Sequence, residues 1–271
     1  MDKKDIFLSI IIPAHNEGDC IGDTCTKIID KFSEAGIGDY EIIVVNDNSS
    51  DTTETVLQSL CQAHSVIEYV NNDPPFGFGF AVRKGLLIYH GEAAAIVMAD
   101  LSDSPADIIV YYNKLKEGHE CVFGSRFIKG SKVKDYPFFK LFLNRIVNIS
   151  IKLIFGIKFN DITNAFKAYR REVIASLEPI ISPHFNLTVE LPLKAIVRGF
   201  DYIVVPITWS NRKKGESKLK IKEMGSRYLF IILYCFIEKL FSQNDFHRTT
   251  QLRQLRARQI RNAGYQAQSD K

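Results

Sequence analysis

Short, mostly apolar runs alternate with amphipathic stretches along the first half of the chain. The apolar runs predict strands at residues 6–12, 41–46, 66–70, 94–98 and 120–123. Apolar residues at helical spacing predict helices between them, at about 19–35, 52–64, 80–89 and 105–117. Continuous apolar strands joined by helices form sheets that are covered on both faces. The pattern therefore predicts an α/β fold with a mostly parallel, Rossmann-like sheet flanked by helices.

The second half changes character, because its apolar stretches are longer and are interrupted by single polar residues. Residues 138–157 carry polar positions four residues apart, at Lys140, Asn144, Asn148 and Lys152. On a helix these positions form one narrow stripe, and the other faces are apolar. A core helix and a helix lying in a bilayer interface can both have this pattern. The basic stripe favours the interface, and we expect peripheral membrane contact.

A second apolar stretch, at residues 228–237, ends at Glu238 and Lys239. Neither stretch reaches the roughly 18 to 20 uncharged residues that a transmembrane helix needs. We expect one large α/β domain over residues 1–220, an amphipathic membrane-associating helix over 221–244 and a basic tail over 245–271. A homo-oligomer contact or a membrane partner is an alternative use of the C-terminal helices.

The basic character of the chain is concentrated in that tail. The formal net charge is +4, and residues 245–271 contain six Lys or Arg residues against Asp245 and Asp270. The pattern at 251–259 is typical of an amphipathic helix for a membrane surface or a partner chain, and we expect no nucleic acid as a partner. Five cysteines without metal-type spacing indicate reduced thiols. We therefore expect a cytoplasmic location, peripheral on the cytoplasmic face of the membrane.

Polar side chains follow three of the predicted strands. Asp100 and Asp103 come directly after the run at 93–98, Asp47 follows the second strand, and Glu17 lies shortly after the first. Ligands of open α/β sheets bind beyond the carboxyl ends of the strands. Because unpaired carboxylates need water, a proton or a cation, this edge predicts a divalent cation that holds a phosphorylated substrate. A helix cap, provided by Asp103 or Ser104 before Pro105, is an equally good interpretation of Asp103.

The chain resembles the family 2 glycosyltransferases with the GT-A fold, in the branch of the dolichyl-phosphate mannose synthases. Nine segments within about residues 6–220 carry the resemblance: IIPAHNE, VVNDNSSDTT, GFGFAVRKG, MADLSDSP, FGSRFIKGS, NRIVN, DITNAFKAYRREV, FNLTVELPLKA and VPITWSNRKKGESKLK. The resemblance implies a GT-A fold that binds a nucleotide-sugar donor. It implies donor-pocket positions at Pro13, Ala14, Glu17 and Asp47, with residues 77–79 and 83–85, which include Gly79 and Lys84, packed beside the donor.

One departure from the family pattern concerns the metal. The family usually carries Asp-Ala-Asp where this chain has Met98, Ala99 and Asp100. A thioether is a poor ligand for a hard cation, so the expected ligands narrow to Asp100, with Asp103 as a substitute. One or two carboxylates plus diphosphate oxygens are sufficient for Mg2+. We expect Mg2+ or Mn2+ as the cofactor.

The resemblance also implies that Arg212 and Lys218 lie on a loop that folds over the diphosphate. A polyprenyl phosphate acceptor is already an anion and needs cationic guides, for which the candidates are Arg126, Arg145 and Lys167 or Arg170. A hydroxyl acceptor would instead need a general base, and Glu190 is the candidate. A buried, hydrogen-bonded helix residue that shapes the sugar pocket is an equally good interpretation of Glu190.

Three functions follow, in order of preference. The first is inverting transfer of a hexose, from a donor such as GDP-mannose or UDP-glucose, to a polyprenyl phosphate at the membrane surface. The second is transfer to a hydroxyl of a glycan or another acceptor, with Glu190 as the base. The third is a non-catalytic, membrane-associated protein that binds nucleotide sugars, suggested by Met98 and by Asn46 in place of a common Asp.

Overall fold

A computed structural model describes residues 5–212 and 221–242, with side chains for 5–212 and 225–242. The strands are β1 (Leu8–Ala14), β2 (Tyr40–Asn46), β3 (Ile67–Asn71), β4 (Ala93–Ile96), β5 (Cys121–Ser125), β6 (Lys132–Lys134), β7 (Lys167–Arg170), β8 (Tyr202–Pro206) and β9 (Thr208–Ser210). The helices are α1 (Gly18–Glu34), α2 (Thr53–Ala63), α3 (Phe78–Ile88), α4 (Pro105–Lys116), α5 (Phe138–Phe155), α6 (Arg171–Ser176), α7 (Leu187–Val197) and α8 (Ile221–Phe241). The predicted alternation of strands and helices is confirmed.

Seven of the strands form one sheet in the order β3-β2-β1-β4-β7-β5-β8. Six strands run parallel, and β7 runs antiparallel to both of its neighbours, β4 and β5. The predicted mostly parallel sheet is confirmed, whereas β7 was not among the predicted strands. Its four residues begin with Lys167 and end with Arg170, so no apolar run distinguishes it in the sequence.

Helices cover both faces of this sheet. Helices α1, α2 and α4 pack on one face, and α3, α5, α6, α7 and α8 pack on the other. In β1 the side chains alternate, so that Ile11 points to the second core while Ile10 and Ile12 point to the first. Helix α1 buries one stripe against the first core, formed by Ile21, Cys25, Ile28 and Phe32. The period-3.6 spacing of that stripe explains why this segment is a helix.

Helix α8 is attached to the body through buried contacts. Ile231 and Cys235 belong to the second core, and the Glu238 carboxylate accepts two hydrogen bonds from Arg198, at 2.6 and 3.0 Å. The Lys239 ammonium donates to the carbonyl of Phe155 at the end of α5, at 2.8 Å. Helices α5, α7 and α8 are therefore connected. None of the helices in the described ranges is long and apolar enough to cross a bilayer.

A separate two-stranded sheet, β6 with β9, lies beside the edge where β4 ends. The two strands are parallel, and Trp209 of β9 also forms an isolated antiparallel bridge with Asp103. This bridge joins the loop after β4 to the segment that leads to Arg212.

Candidate active site

The carboxyl ends of β1, β2 and β4 open into one cavity with a volume of about 650 Å³. The wall of this cavity includes most of the predicted site residues: Pro13, Ala14, Glu17, Asp47, Asp100, Asp103, Arg126 and Arg212. They come from segments far apart in the chain, and they meet because parallel strands end at the same edge of a sheet.

Asp47 organises the β2 side of the cavity. Its carboxylate accepts hydrogen bonds from the backbone N–H of Gly77, at 2.9 Å, and from the side-chain amide of Asn72, at 2.8 Å. The His15 ring nitrogen Nδ1 lies 2.6 Å from the backbone carbonyl of Asp47. Because these contacts draw in the loops after β1, β2 and β3, Asp47 fixes the shape of the pocket where a nucleotide is expected.

Glu17 is positioned by the loop that precedes α2. Its backbone N–H donates to the hydroxyl of Thr53 at 2.9 Å, and the next N–H, of Gly18, donates to Asp51 at 3.1 Å. These bonds satisfy backbone donors at the start of α1, which a helix leaves without partners of its own. The side chain of Glu17 is buried and is thereby directed to the same edge as Asp100.

Arg212 bridges the two carboxylates at this edge. One guanidinium nitrogen, Nη2, lies 2.7 Å from the Asp100 carboxylate and 3.3 Å from that of Glu17. Burial lowers the pKa of Arg212, but attraction to Asp100 and then to Glu17 outweighs burial, and the net shift is upward. A permanent cation therefore lies against the carboxylate predicted to hold the metal. Lys218, predicted on the same loop, lies outside the described residues.

Asp103 is buried and does not cap α4. The N-cap residue is Ser104, without a side-chain cap bond, and the Asp103 carboxylate instead accepts the N–H of Met98 at 3.4 Å. The capping interpretation is therefore wrong for Asp103. Burial, followed by repulsion from Asp100, raises the pKa of Asp103 to about 7. The two carboxylates thus act on each other electrostatically within the loop.

Asp100 and Asp103 could hold a divalent cation only together with ligands from outside the protein. Within residues 5–212 and 225–242, no group of three or more His, Cys, Asp or Glu side chains is arranged to hold a metal ion. Met98 also lines the cavity, but it offers only a thioether sulfur. Two neighbouring carboxylates fit Mg2+ or Mn2+ when phosphate oxygens complete the coordination.

Arg126 lines the cavity, and its guanidinium is held from behind by Asp161. Its Nε and Nη2 donate to the two oxygens of the buried Asp161 carboxylate, at 2.8 and 2.7 Å. Burial lowers the pKa of Arg126, but Asp161 outweighs it and raises the pKa overall. The guanidinium carbon lies 5.3 Å from the Tyr136 ring and 5.5 Å from the Trp209 ring. This arrangement presents a rigid cation beside an aromatic wall.

The middle of the polar stripe of α5, at Asn144 and Asn148, points into the protein, whereas Lys152 is exposed. Asn148 is fully buried, and its amide donates to the Thr163 hydroxyl at 2.9 Å while its carbonyl oxygen accepts the Thr163 N–H at 3.2 Å. Asn144 donates to the same hydroxyl at 2.7 Å. The stripe was predicted to place cations at a lipid surface, and at Asn144 and Asn148 it instead binds the loop after α5. Several apolar residues of α5, among them Phe138, Ile149 and Leu153, are exposed, whereas Ile151 and Phe155 belong to the core.

Glu190 is fully buried in α7 and does not line the cavity. Its carboxylate accepts the backbone N–H groups of Ile181 and Ser182, at 2.9 and 2.7 Å, and pairs with Lys194 at 2.5 Å. Because both oxygens are occupied and the group is away from the cavity, this geometry corrects the base interpretation. It agrees with the alternative of a buried, hydrogen-bonded residue that supports the pocket.

Several other predicted residues lie away from the cavity. Lys84 pairs with Asp73 at 2.9 Å on the surface, so its expected place beside the donor is corrected. Gly79 packs against the backbone of Ser182, where a Cβ would come within 2.2 Å of a carbonyl oxygen. Its neighbour Gly77 is the one that lines the cavity.

The other three residues predicted to guide an acceptor phosphate donate hydrogen bonds to backbone carbonyls and do not line the cavity. Lys167 is buried and donates to backbone carbonyls, and burial lowers its pKa to about 7. Arg170 donates to carbonyls near the end of α4. Arg145 donates to the carbonyl of Asn160 at 3.0 Å and stacks over Phe127. Of the four candidates, only Arg126 lines the cavity.

Sequence reasoning missed several residues of the cavity wall. Trp209 and Tyr136 form an aromatic pair with ring centres 4.7 Å apart, and Tyr228 of α8 hydrogen-bonds with Thr188 while burial raises its pKa to about 12. Lys140 of α5 is also part of the wall. The one signal available for Trp209 was its position as the single tryptophan in the chain, between two predicted elements.

Comparison with known proteins gives consistent results. The family model "Glycosyl transferase family 2" matches residues 9–177. The chain is 30% identical over 220 residues to the dolichol-phosphate mannosyltransferase of Pyrococcus furiosus, covering 79% of this chain and 60% of that protein. It is 28% identical over 216 residues to the polyprenol monophosphomannose synthase of Mycolicibacterium smegmatis, covering 78% and 80%. The chain thus spans about three fifths of the Pyrococcus protein's length.

Among solved structures, the chain is similar to glucosyl-3-phosphoglycerate synthase from Mycobacterium tuberculosis. The UDP complex of that protein superposes with a TM-score of 0.63 at 18% identity, covering 86% of this chain and 81% of the other. A second structure of that protein, with Mn2+, UDP and glucosyl-3-phosphoglycerate, has a TM-score of 0.62 at 18% identity and covers 88% and 81%. This similarity confirms the fold.

Proposed function

We propose that this chain, which belongs to glycosyl transferase family 2, is an inverting enzyme that moves a hexose from a nucleotide sugar to a polyprenyl phosphate. One observation carries the proposal: a single cavity connects the carboxylates and Arg212 at the sheet edge to Arg126 and to the walls formed by α5 and α8. The relatives named dolichol-phosphate mannosyltransferase and polyprenol monophosphomannose synthase support this acceptor class.

The donor nucleotide would occupy the end of the cavity formed by Pro13, Ala14, Glu17 and Asp47. Asp47 is held in place by Gly77 and Asn72, so its remaining lone pairs have a fixed direction toward a base or ribose donor. The UDP complex of the glucosyl-3-phosphoglycerate synthase supports a nucleotide as a ligand of this fold. GDP-mannose and UDP-glucose remain the two donors to test.

Departure of the nucleoside diphosphate requires positive charge near its phosphates. Asp100 and Asp103 would hold Mg2+ or Mn2+, which neutralises the charge that develops on the leaving group. The Mn2+ in a structure of the glucosyl-3-phosphoglycerate synthase supports a divalent ion. Arg212 adds a second cation, because it lies against Asp100 and remains charged. Lys218 is proposed for the same role by its place in the loop.

The acceptor phosphate needs alignment rather than deprotonation, because it is already an anion near neutral pH. Arg126 is the cation that lines the acceptor end, and Asp161 and the aromatic rings fix its orientation. A phosphate oxygen attacks the anomeric carbon as the bond to the diphosphate breaks, which inverts that carbon. Holding both groups in line supplies the catalytic advantage of proximity.

Transfer to a hydroxyl acceptor is less consistent with the geometry. That reaction needs a base near the sugar, and Glu190 is buried against Lys194 away from the cavity. The non-catalytic alternative rests on Met98 and Asn46. Asp100, Arg126 and Arg212 nevertheless line one cavity, which favours an enzyme.

An assay with purified full chain tests the proposal. GDP-mannose and UDP-glucose are each incubated with detergent-solubilised polyprenyl phosphate and Mg2+ or Mn2+, and the products are identified by mass spectrometry. We expect a polyprenyl-phosphate-linked hexose from one donor and none after metal chelation. Transfer only to saccharide hydroxyls would favour the second function. Donor binding without turnover under every metal would favour the third.

We also propose that the protein contacts the membrane peripherally, because a polyprenyl acceptor resides in a bilayer. The outward apolar faces of α5 and α8 lie beside the cavity walls that these helices form. An acceptor could then present its phosphate to the cavity while its isoprenoid chain stays in the lipid.

A further inference from the structure

The cavity must also hold the hexose, between the diphosphate and the acceptor phosphate. Asp47, Asp100 and Arg126 line the cavity and suit the nucleotide, the metal-bound diphosphate and the acceptor. The hexose is bonded to the diphosphate and is attacked by the acceptor phosphate, so it lies between Asp100 and Arg126. A sugar ring has hydroxyl groups around its edge and C–H groups on its faces. Its place in the cavity therefore needs an apolar surface as well as polar groups.

Two stacked phenylalanine rings offer such a surface. Phe78, the first residue of α3, and Phe185, two residues before α7, have ring centres 4.4 Å apart and ring planes inclined by 16°. Both side chains line the cavity, and both are half-buried. A stacked pair within a closed core would be covered on all sides, whereas these rings leave apolar surface facing the cavity. We call Phe78 and Phe185 the aromatic pair.

On one side, the aromatic pair adjoins the donor end of the cavity. Phe78 follows Gly77, whose N–H donates to the Asp47 carboxylate at 2.9 Å. Gly77 has a φ of +143°, which residues with a side chain rarely adopt, and a Cβ there would come within 2.6 Å of Nδ1 of His184. Glycine therefore lets the chain pass from the contact with Asp47 directly into α3, and Phe78 is held next to the nucleotide end.

On the other side, the aromatic pair is connected to the acceptor end. The Phe185 carbonyl accepts a hydrogen bond from the Thr188 hydroxyl at 2.7 Å. The Thr188 carbonyl in turn accepts one from the Lys167 ammonium at 3.2 Å. Lys167 also donates to the carbonyl of Ile162 at 2.9 Å, one residue after Asp161. Because Asp161 anchors the guanidinium at the acceptor end, the aromatic pair is fastened to both ends of the cavity.

Backbone contacts between α3 and the loop before α7 fix the distance between the two rings. The N–H of Gly79, next to Phe78, donates to the Pro183 carbonyl at 3.0 Å. A Cβ on Gly79 would come within 2.2 Å of the Ser182 carbonyl oxygen, and the Ser182 N–H donates to the buried Glu190 carboxylate at 2.7 Å. The two segments therefore approach as closely as backbones allow. A surface that is already ordered loses little entropy when a ligand binds.

We propose that the hexose of the donor packs on the aromatic pair, with the C–H groups of one sugar face against the rings. This inference rests on the proposed function, and it adds the residues that recognise the sugar rather than the nucleotide. The face of an aromatic ring carries partial negative charge, and sugar C–H groups carry partial positive charge. The contact is therefore favourable beyond the apolar area that it buries. Phe78 and Phe185 determine affinity for the sugar in this arrangement.

A nucleobase and an isoprenoid chain also have surfaces that suit aromatic rings, but each belongs to a different end of the cavity. The base is proposed to lie with Pro13, Ala14 and Asp47, and the isoprenoid chain leaves the site beside the exposed faces of α5 and α8. The aromatic pair is connected to both ends and belongs to neither. The three occupants also differ in the ligand whose binding depends on the rings, and this difference is measurable.

Isothermal titration calorimetry of the purified full chain with Mg2+ tests the proposal. Each protein is titrated with GDP, GDP-mannose, UDP and UDP-glucose, and each nucleotide sugar is compared with its own nucleoside diphosphate. The test variants F78L and F185L remove a ring but keep an apolar side chain, and F185Y keeps the ring. The matched control is F80L, which changes a phenylalanine of the same helix α3 outside the cavity wall.

We expect F78L and F185L to raise the dissociation constant of the nucleotide sugar about 3- to 10-fold, and that of the nucleoside diphosphate less than about 2-fold. F185Y and F80L should leave both constants unchanged. Equal weakening of both ligands would assign the rings to the base or to pocket shape and overturn the proposal. Unchanged binding of both, with a higher KM for polyprenyl phosphate, would assign them to the isoprenoid chain and also overturn it. If one leucine variant does not fold, the other, on a different element, gives the result.

Transfer assays keep this inference separate from the proposed function. If the parent chain binds a nucleotide sugar through the aromatic pair but transfers no hexose to polyprenyl phosphate, the proposed acceptor fails and the sugar surface stands. If the parent chain transfers the hexose but the leucine variants bind nucleotide sugar and diphosphate with equal losses, the proposed function stands and the sugar surface fails. If the parent chain binds neither nucleotide sugar, both fail.

Discussion

Charged side chains are arranged in opposite ways in the two halves of this molecule. In the half from β1 to α4, lysines pair with acids at the surface: Lys31–Glu34, Lys84–Asp73, Lys114–Glu117 and Lys116–Asp39. In the half from β5 to α8, ion pairs lie in the core: Arg126–Asp161, Glu190–Lys194 and Arg198–Glu238. The exposed lysines of β6 in this half have no acidic partner within the described ranges.

The two halves also differ in which side chains their helices turn inward. Helix α5 turns Asn144 and Asn148 inward and leaves Phe138 and Leu153 exposed, whereas α1 turns Ile21 and Phe32 inward. A helix surrounded by water buries its apolar stripe. The second half therefore exposes apolar side chains on α5, whereas α1 in the first half buries its apolar stripe.

The largest effect is expected from Arg198→Met, which leaves the Glu238 carboxylate buried without its partner. Removing one member of a buried pair costs about 3–5 kcal/mol, so the free energy of unfolding in urea should fall by that amount. The control Lys114→Met removes a surface pair and should cost less than about 1 kcal/mol. Equal losses in the two variants would remove the distinction between the halves.

The next largest effect is expected on turnover, from Asp100→Asn. Loss of the carboxylate removes the group that orients Arg212 and the proposed metal ligand, and we expect kcat to fall about 10²–10³-fold, as for other electrostatic groups in active sites. Circular dichroism should show an unchanged fold. The control Asp30→Asn alters an exposed carboxylate of α1 and should keep the parent rate. Undiminished turnover in Asp100→Asn would exclude a catalytic role.

Two adjacent positions of α5 test whether its buried polar residue supports the fold while its exposed apolar residue serves an external contact. Asn148→Leu leaves the Thr163 backbone N–H without its acceptor, and the free energy of unfolding should fall by about 1–3 kcal/mol. Ile149→Gln changes an exposed apolar residue and should alter stability by less than about 0.5 kcal/mol. Vesicle binding should show the opposite order, with the larger loss in Ile149→Gln. If the same variant showed the larger loss in both stability and vesicle binding, the two positions would not have these separate roles.

The smallest effect is expected from Lys84→Gln. This lysine pairs with Asp73 on the surface, and exposed pairs contribute little. Neither the KM for the donor nor the free energy of unfolding should change measurably. A several-fold rise in donor KM would return Lys84 to the donor pocket, where the family resemblance placed it, and would show that the loop containing Asp73 rearranges on binding.

The sequence was most informative for elements whose burial follows from their own apolar residues. The strands β1, β2 and β4 are predictable because they are mostly apolar and are buried along their whole length, and only a sheet covered on both faces buries such strands. Asp47 and Asp100 were found for the same reason, since each follows one of these strands. Strand β7 was missed because its burial comes from β4 and β5 on either side and not from its own composition.

Predictions failed where a side chain's partners depend on how a neighbouring loop folds. Glu190 had the composition of a base candidate, but Ile181, Ser182 and Lys194 occupy both of its oxygens. Asp103 had the spacing of a helix cap, but the bridge to Trp209 holds the loop so that its carboxylate points back to Met98. Spacing along the chain does not show which backbone groups such a loop presents to a side chain.

By itself, the sequence determined the α/β architecture, the carboxylates at the sheet edge and the amphipathic character of the C-terminal half. Local period and apolar content are sufficient for these features, because burial follows directly from them. Only the tertiary structure decided which face of α5 points inward, which cations reach the cavity and which acids are already paired. Those outcomes depend on the loop at Asp161–Thr163 and on α8 packing against α7, and such long-range contacts leave no periodic signal in the chain.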